Sequence, residues 1–212
     1  IAVIELFQLG KNYWNIVTNY FGKPSMRVGA GVEKQMGDKL TYGWILEEES
    51  GFSGFIKEGK KTKMTLSSNA SRTEAVFSDN IIGVIEGSDP NLKDEYVVLT
   101  AHYDHVGVGA QGGGATTAQD SIFNGARDNA FGTVALLNTA KALAAAPTKR
   151  SVVILAVTGE EKGLLGSRYY AENPIIPLEK TVFNFNTDGA GYNAKDRVTI
   201  FGLGRVGVDD EL

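Results

Sequence analysis

Four short stretches of this chain carry residue types that bind metal ions and move protons. They are His102-Tyr103-Asp104-His105, Gly125-Ala126-Arg127-Asp128-Asn129, Thr158-Gly159-Glu160-Glu161 and Thr187-Asp188-Gly189. Imidazole and carboxylates together suit zinc, or manganese and cobalt in its place. Several carboxylates with few histidines suggest two metals sharing a bridging carboxylate. Without cations such a cluster would repel itself, and two divalent charges would neutralise it. Each residue alone also has a plain structural reading. His102 could be a core histidine, and Asp104 could bond loop amides. Asp128 could be a helix N-cap, Glu160-Glu161 a solvated pair, and Asp188 an Asx-turn residue before Gly189. The joint pattern favours a metal centre. His105 reads as a pocket-wall residue or a neighbour of a ligand rather than a ligand itself.

The elements around these stretches explain why they would meet. Tyr96–Ala101, Val152–Val157 and Thr181–Asn186 are near-continuous apolar runs, the pattern of strands buried on both faces. Each runs straight into one of the polar stretches, and ligands of open α/β sheets gather beyond the carboxyl ends of the strands. Ile81–Ile85 is a further strand, closed by the turn Gly87-Ser88-Asp89-Pro90, and Arg197–Phe201 another. Helical spacing of apolar residues runs over 130–146, ended by Pro147, and a short helix spans 164–172, closed by Asn173-Pro174. Gly107–Gly114 is a glycine-rich loop. Strands alternating with helices predict an α/β fold: a mostly parallel twisted sheet with helices on both faces. Residues 1–64 differ, being rich in aromatics and glycine. Strands are expected at Ile1–Leu6 and Tyr42–Leu46, a turn or loop at Glu47–Gly51, and a solvated helix end or loop at Gly54–Lys63. This gives a β-rich segment over 1–64 and a second domain over 65–212.

Composition narrows the function classes. The 212 residues are 42% hydrophobic and 22% charged, enough for a sizeable core, with a formal net charge of -4. No Lys/Arg-rich block is present, which argues against a nucleic-acid partner. The absence of cysteine removes disulfides, thiolate ligands and thiol nucleophiles. No apolar run is long enough to span a bilayer, and no signal peptide is visible at Ile1. The chain is expected to be a processed or truncated portion. Its last residues, Asp209-Asp210-Glu211-Leu212, read as a cut through an acidic loop, despite a faint likeness to a retrieval tail.

The stretches Ala101–His105, Asn124–Asn129, Gly159–Ser167 and Asn186–Asp188 resemble, in order and spacing, the two-zinc aminopeptidase family. That family includes bacterial secreted aminopeptidases and glutamate carboxypeptidase II. The resemblance runs from about Asn80 to Gly202, and residues 1–64 are similar to the tail of a protease-associated domain. It implies hydrolysis of amino-terminal residues from peptide substrates by two Zn2+ ions, in an extracytoplasmic setting. His102 and Asp188 would bind one zinc, Asp128 would bridge, and Glu161 would bind the second. Glu160 would be the general base, and Asp104 would orient His102 by accepting its other ring proton. The chain departs from the family in lacking a further histidine ligand downstream of Asp188. The rest of the peptidase domain is expected to lie beyond Leu212. Arg127 stands where the family often has an acid or a small residue. Two other readings share the fold: a catalytically silent binding module, and a glutaminyl cyclase-like enzyme with one zinc.

Overall fold

A computed structural model describes residues 2–21, 26, 28, 41–55, 65, 75–109, 116–189, 194–197 and 199–202. The chain divides into two compact units, Ile1–Phe77 and Ser78–Leu212. No helix among the described residues is long and apolar enough to cross a membrane.

In the first unit, strand β1 (Ala2–Phe7) and strand β2 (Thr41–Leu46) pair in parallel, from Ala2 opposite Thr41 to Phe7 opposite Leu46. Parallel neighbours need a crossover connection. Helix α1 (Lys11–Phe21) opens it, held against the sheet by Trp14, whose ring lies 5.3 Å from that of Phe7. The segment expected to be β-rich is therefore a mixed β–α–β piece. The acidic run expected as a turn is one helical turn, α2 (Glu47–Ser50), ended by Gly51 at φ 52°, whose N–H bonds Glu47 O. The expectation for Gly54–Lys63 lies mostly outside the described residues.

The second unit holds a four-stranded sheet in the order β3-β5-β4-β6, with β3 at Ile81–Ile85, β4 at Tyr96–His102, β5 at Ser151–Val157 and β6 at Thr181–Asn186. β4 runs parallel to both β5 and β6, and β3 is antiparallel to β5. The chain steps from β4 to β5 through helix α3 (Phe131–Ala145). It then steps back past β4 to β6 through helix α4 (Leu165–Glu172). Parallel crossovers are right-handed, so steps in opposite directions put the two helices on opposite faces. Tyr170 of α4 joins Val98, Val153, Leu155 and Val157 in the core of one face. On the other, Ala101 and Val152 are buried where α3 lies against β4 and β5.

The reversal of direction makes the carboxyl ends of β4, β5 and β6 the switch point of the sheet, where a crevice is built. The strand expected at Arg197–Phe201 is not one. Its described residues lie outside any strand, and Arg197 N–H closes a turn onto Ala194 O. The described part of the glycine-rich loop is tied down: Gly109 N–H bonds Ser121 O and Phe123 N–H bonds Gly107 O. Residues 110–115 and the acidic tail lie outside the described residues.

Candidate metal centre

β4 delivers His102 to the crevice with the residue 2% exposed. Its backbone carbonyl is pinned by Thr133 Oγ1 at 2.9 Å and Asn129 Nδ2 at 3.3 Å. Ring atom Nδ1 lies 3.1 Å from the backbone carbonyl of Asp104, which fixes Nδ1 as the protonated nitrogen. Nε2 is thereby aimed at two carboxylates, Asp188 Oδ1 and Asp128 Oδ1, each at 3.1 Å. Burial pushes the imidazole pKa down, but the charge and contact of Asp188, with Glu160 and the Asp104 carbonyl, outweigh it and carry the group above its ordinary value. The role expected for Asp104 is thus divided. Its carbonyl orients His102, while its carboxylate stands 3.7 Å from the ring. That carboxylate instead accepts the amide N–H groups of Glu160 at 3.0 Å and Glu161 at 3.3 Å, because the chain after β5 turns those amides toward it.

Asp128 is no helix cap. The chain enters α3 through a widened turn, Ala126–Ala130, in which Ala130 N–H reaches back to Gly125 O. Inside it Asp128 (φ -126°, ψ 98°) and Asn129 (φ -132°, ψ 39°) leave helical geometry, and the peptide between them is cis. Asn129 takes the capping role, its Oδ1 accepting Gly132 N–H at 3.1 Å. That releases the Asp128 carboxylate into the crevice. Asn129, 1% exposed, also bonds Thr187 O and Gly189 N–H on the loop carrying Asp188. One buried amide therefore joins three of the four polar stretches. Its position beside the helix start was legible in the sequence; its reach to the other two loops was not.

Glu160 and Glu161 sit on a tight turn after β5, with Gly159 at φ 65° and Glu160 O accepting the N–H groups of Gly163 and Leu164. Asn80 locks the turn by accepting Thr158 N–H and donating to Gly166 O. Neighbouring on the chain, the two glutamates diverge. Glu161 Oε1 lies 2.9 Å from His105 Nδ1. Glu160 lines a cleft of about 350 Å³ with His102, Asp188, Leu164 and Tyr170. Burial, then Asp188, Glu161 and Asp104, raise the Glu160 pKa against the opposing pull of His102.

Two donor groups result. His102, Asp128 and Asp188 form one, and His105, Asp128 and Glu161 the other, with the donor atoms of each within 4.8 Å of one another. Asp128 belongs to both. Two ligands each about 2.0–2.1 Å from a tetrahedral zinc lie about 3.3 Å apart, close to the 3.1 Å separations around His102 Nε2. Asp128 Oδ1 and His105 Nδ1 are also buried without a hydrogen-bond partner, their neighbours being close enough for ion pairs but out of line for hydrogen bonds. Buried polar atoms are ordinarily paired. A mixed imidazole–carboxylate set with free lone pairs fits a hard or borderline divalent cation such as zinc. His105, expected as pocket wall, thus enters the cluster. Its place three residues after a ligand at a strand end was the signal available.

The family model described as peptidase family M28 matches residues 80–209, more than half of the 212 residues. Aminopeptidase YwaD of Bacillus subtilis (strain 168) is 28% identical over 179 residues, covering 84% of this chain and 30% of that protein. A probable zinc metalloprotease of Pyrenophora teres f. teres is 33% identical over 127 residues, 58% of this chain and 24% of that protein. Among solved structures, BSAP, a zinc aminopeptidase from Bacillus subtilis, is 32% identical, with 53% of this chain and 24% of that chain covered and a TM-score of 0.41. The chain spans less than a third of the length of these relatives.

Proposed function

The chain belongs to peptidase family M28, and from that membership we propose that it carries the metal-binding core of a zinc-dependent aminopeptidase. Its substrates are peptides with a free amino terminus, in keeping with the names of the aminopeptidase relatives. His102, Asp128 and Asp188 hold one zinc, and Asp128 and Glu161 hold a second, with Asp128 as the bridge. When bound, the metal pair lowers the pKa of water and polarises the scissile carbonyl.

Glu160 takes the proton from the attacking water and passes it to the leaving amine. A carboxyl whose pKa is raised keeps that proton long enough to deliver it, and the environment of Glu160 acts in this direction. Glu161 is committed elsewhere, facing His105 and Asp128. Asp104 holds both glutamate amides, so one carboxylate sets the position of base and ligand together. The observation that carries this reading is the division of labour. Glu160 stands beside His102 and Asp188 in the cleft yet belongs to neither donor group, while Asp128 belongs to both.

The test is a pair of substitutions assayed on an aminoacyl chromogenic substrate with metal content measured in parallel. Glu160→Gln should lower kcat by at least about a hundredfold to ten-thousandfold with zinc content unchanged. Glu161→Ala should lose zinc. Equal zinc loss in both variants, or full activity in Glu160→Gln, would remove Glu160 as the base.

A further inference from the structure

We propose that His105 is a direct ligand of the second metal, so that this chain alone supplies three donors to each of two cations. The proposal rests on the two-metal reading above and adds to it a residue outside the expected ligand set.

The first argument is geometric. His105 Nδ1, Glu161 Oε1 and a carboxylate oxygen of Asp128 form a closed donor group, matching in size the one around His102. The chain is shaped to let the imidazole in. Gly125, at φ 64°, lies against it, and a Cβ there would meet His105 Cγ at 2.9 Å and Asp128 O at 3.1 Å. Any other residue at 125 would drive the ring away from Asp128. Gly107, at φ 90°, turns the chain back two residues after His105, and the Gly107–Phe123 hydrogen bond fastens that loop to the stretch leading into Asp128.

The second argument concerns protons. An imidazole that merely steadied Glu161 would point an N–H at the carboxylate. Here Nδ1 lies 2.9 Å from Oε1 without the alignment of a hydrogen bond, and it is buried with no other partner. Two donor atoms that approach closely without sharing a proton are arranged as ligands of a common cation. The third argument is coordination. A catalytic zinc takes about three protein ligands. Asp128 and Glu161 provide two, and the sequence contains only two histidines, of which His102 is already engaged. Five carboxylates meet here, those of Asp104, Asp128, Glu160, Glu161 and Asp188. Two divalent cations offset most of that charge, whereas one leaves much of it in place.

The experiment titrates the chelator-stripped protein with Zn2+ by calorimetry and counts metal by elemental analysis. Wild type should bind two ions. His105→Ala should bind one tightly, with the other weakened by more than the about 10–100-fold that loss of an outer hydrogen-bond partner costs. A second variant, His105→Cys, is loaded with Co2+. The shorter side chain is partly compensated by the longer metal–sulfur bond of about 2.3 Å. A new thiolate-to-cobalt charge-transfer band should appear, on a clean background because the chain has no cysteine. Two tightly bound ions in wild type and in His105→Ala, with no such band in His105→Cys, would overturn the ligand role and leave the peptidase reading standing. Fewer than two ions in wild type would instead overturn both, as a failure of the two-metal reading itself.

Discussion

Replacing Asn129 by Ala should damage stability and metal binding together, by amounts that its contacts set. The side chain makes four hydrogen bonds: from Nδ2 to His102 O and Thr187 O, and at Oδ1 from Gly132 N–H and Gly189 N–H. His102 O keeps a partner in Thr133 Oγ1, so three backbone groups are stranded. An unsatisfied buried group costs about 1–3 kcal/mol, the upper part applying to buried Gly132 and the lower to half-buried Thr187 and Gly189. The expected loss is about 3–5 kcal/mol, a large share of the roughly 5–15 kcal/mol by which a domain is stable. With a urea slope of about 1–3 kcal/mol per molar, the unfolding midpoint of the metal-free protein should fall by about 2 M. Because the same amide ties His102, the Asp128 turn and the Asp188 loop, zinc affinity should drop about tenfold to hundredfold. Asn129→Asp keeps both accepted bonds and should fall between. A midpoint shift below about 0.5 M with unchanged zinc affinity would refute the view that this amide holds the centre together.

Two further outcomes are expected. Gly166→Ala should lower Tm by about 6–12 °C, from about 3 kcal/mol of overpacking at about 2–4 °C per kcal/mol. A Cβ there meets Asn80 Oδ1 and Thr158 O and lies 2.7 Å from Thr158 N, backbone that cannot move aside, so an unchanged Tm would contradict the packing. The metal-free protein should lose stability as pH rises from about 5 to 8. His102 and Glu160 both hold protons more firmly folded than unfolded, so their contribution is complete below their ordinary values of 6.5 and 4.5 and is lost as pH climbs through the raised ones. Added zinc should reverse the trend, because metal binding favours the deprotonated ligands. Urea midpoints at several pH values, with and without zinc, decide this, and a metal-free midpoint that climbs across the range would count against it.

Much of the peptidase unit was legible because its strands are buried on both faces. Val153 and Leu155 sit in a run with no polar interruption, and the polar residues begin where burial ends. The switch in strand order then carries those ends to one crevice. What periodicity could not reveal was backbone departure from regular structure. Asp128 and Asn129 look like the first residues of a helix, yet both leave helical angles, and only then does the aspartate face the cluster. His105 was discounted because a loop histidine has no fixed direction in sequence; the close approach of Gly125 gives it one. Helix α1 went unread because its apolar positions are crowded with aromatics and it carries no charged residue suited to either end. The Asp104 carboxylate was assigned to His102 on chain proximity, while its bonds run to amides more than fifty residues away.

Asp128 appears in both donor groups, and this makes loading a coupled equilibrium rather than two separate ones. Whatever factor the first cation imposes on the affinity of the second, the second must impose on the first. Replacing Asp188 or Glu161 removes a donor from one group only, whereas replacing Asp128 draws on both at once. The losses from combined substitutions will therefore not add, and the size of that discrepancy measures the exchange between the sites. A single dissociation constant describes neither ion. The order in which chelators strip them becomes the informative quantity, with the deeply buried His102 group expected to empty last.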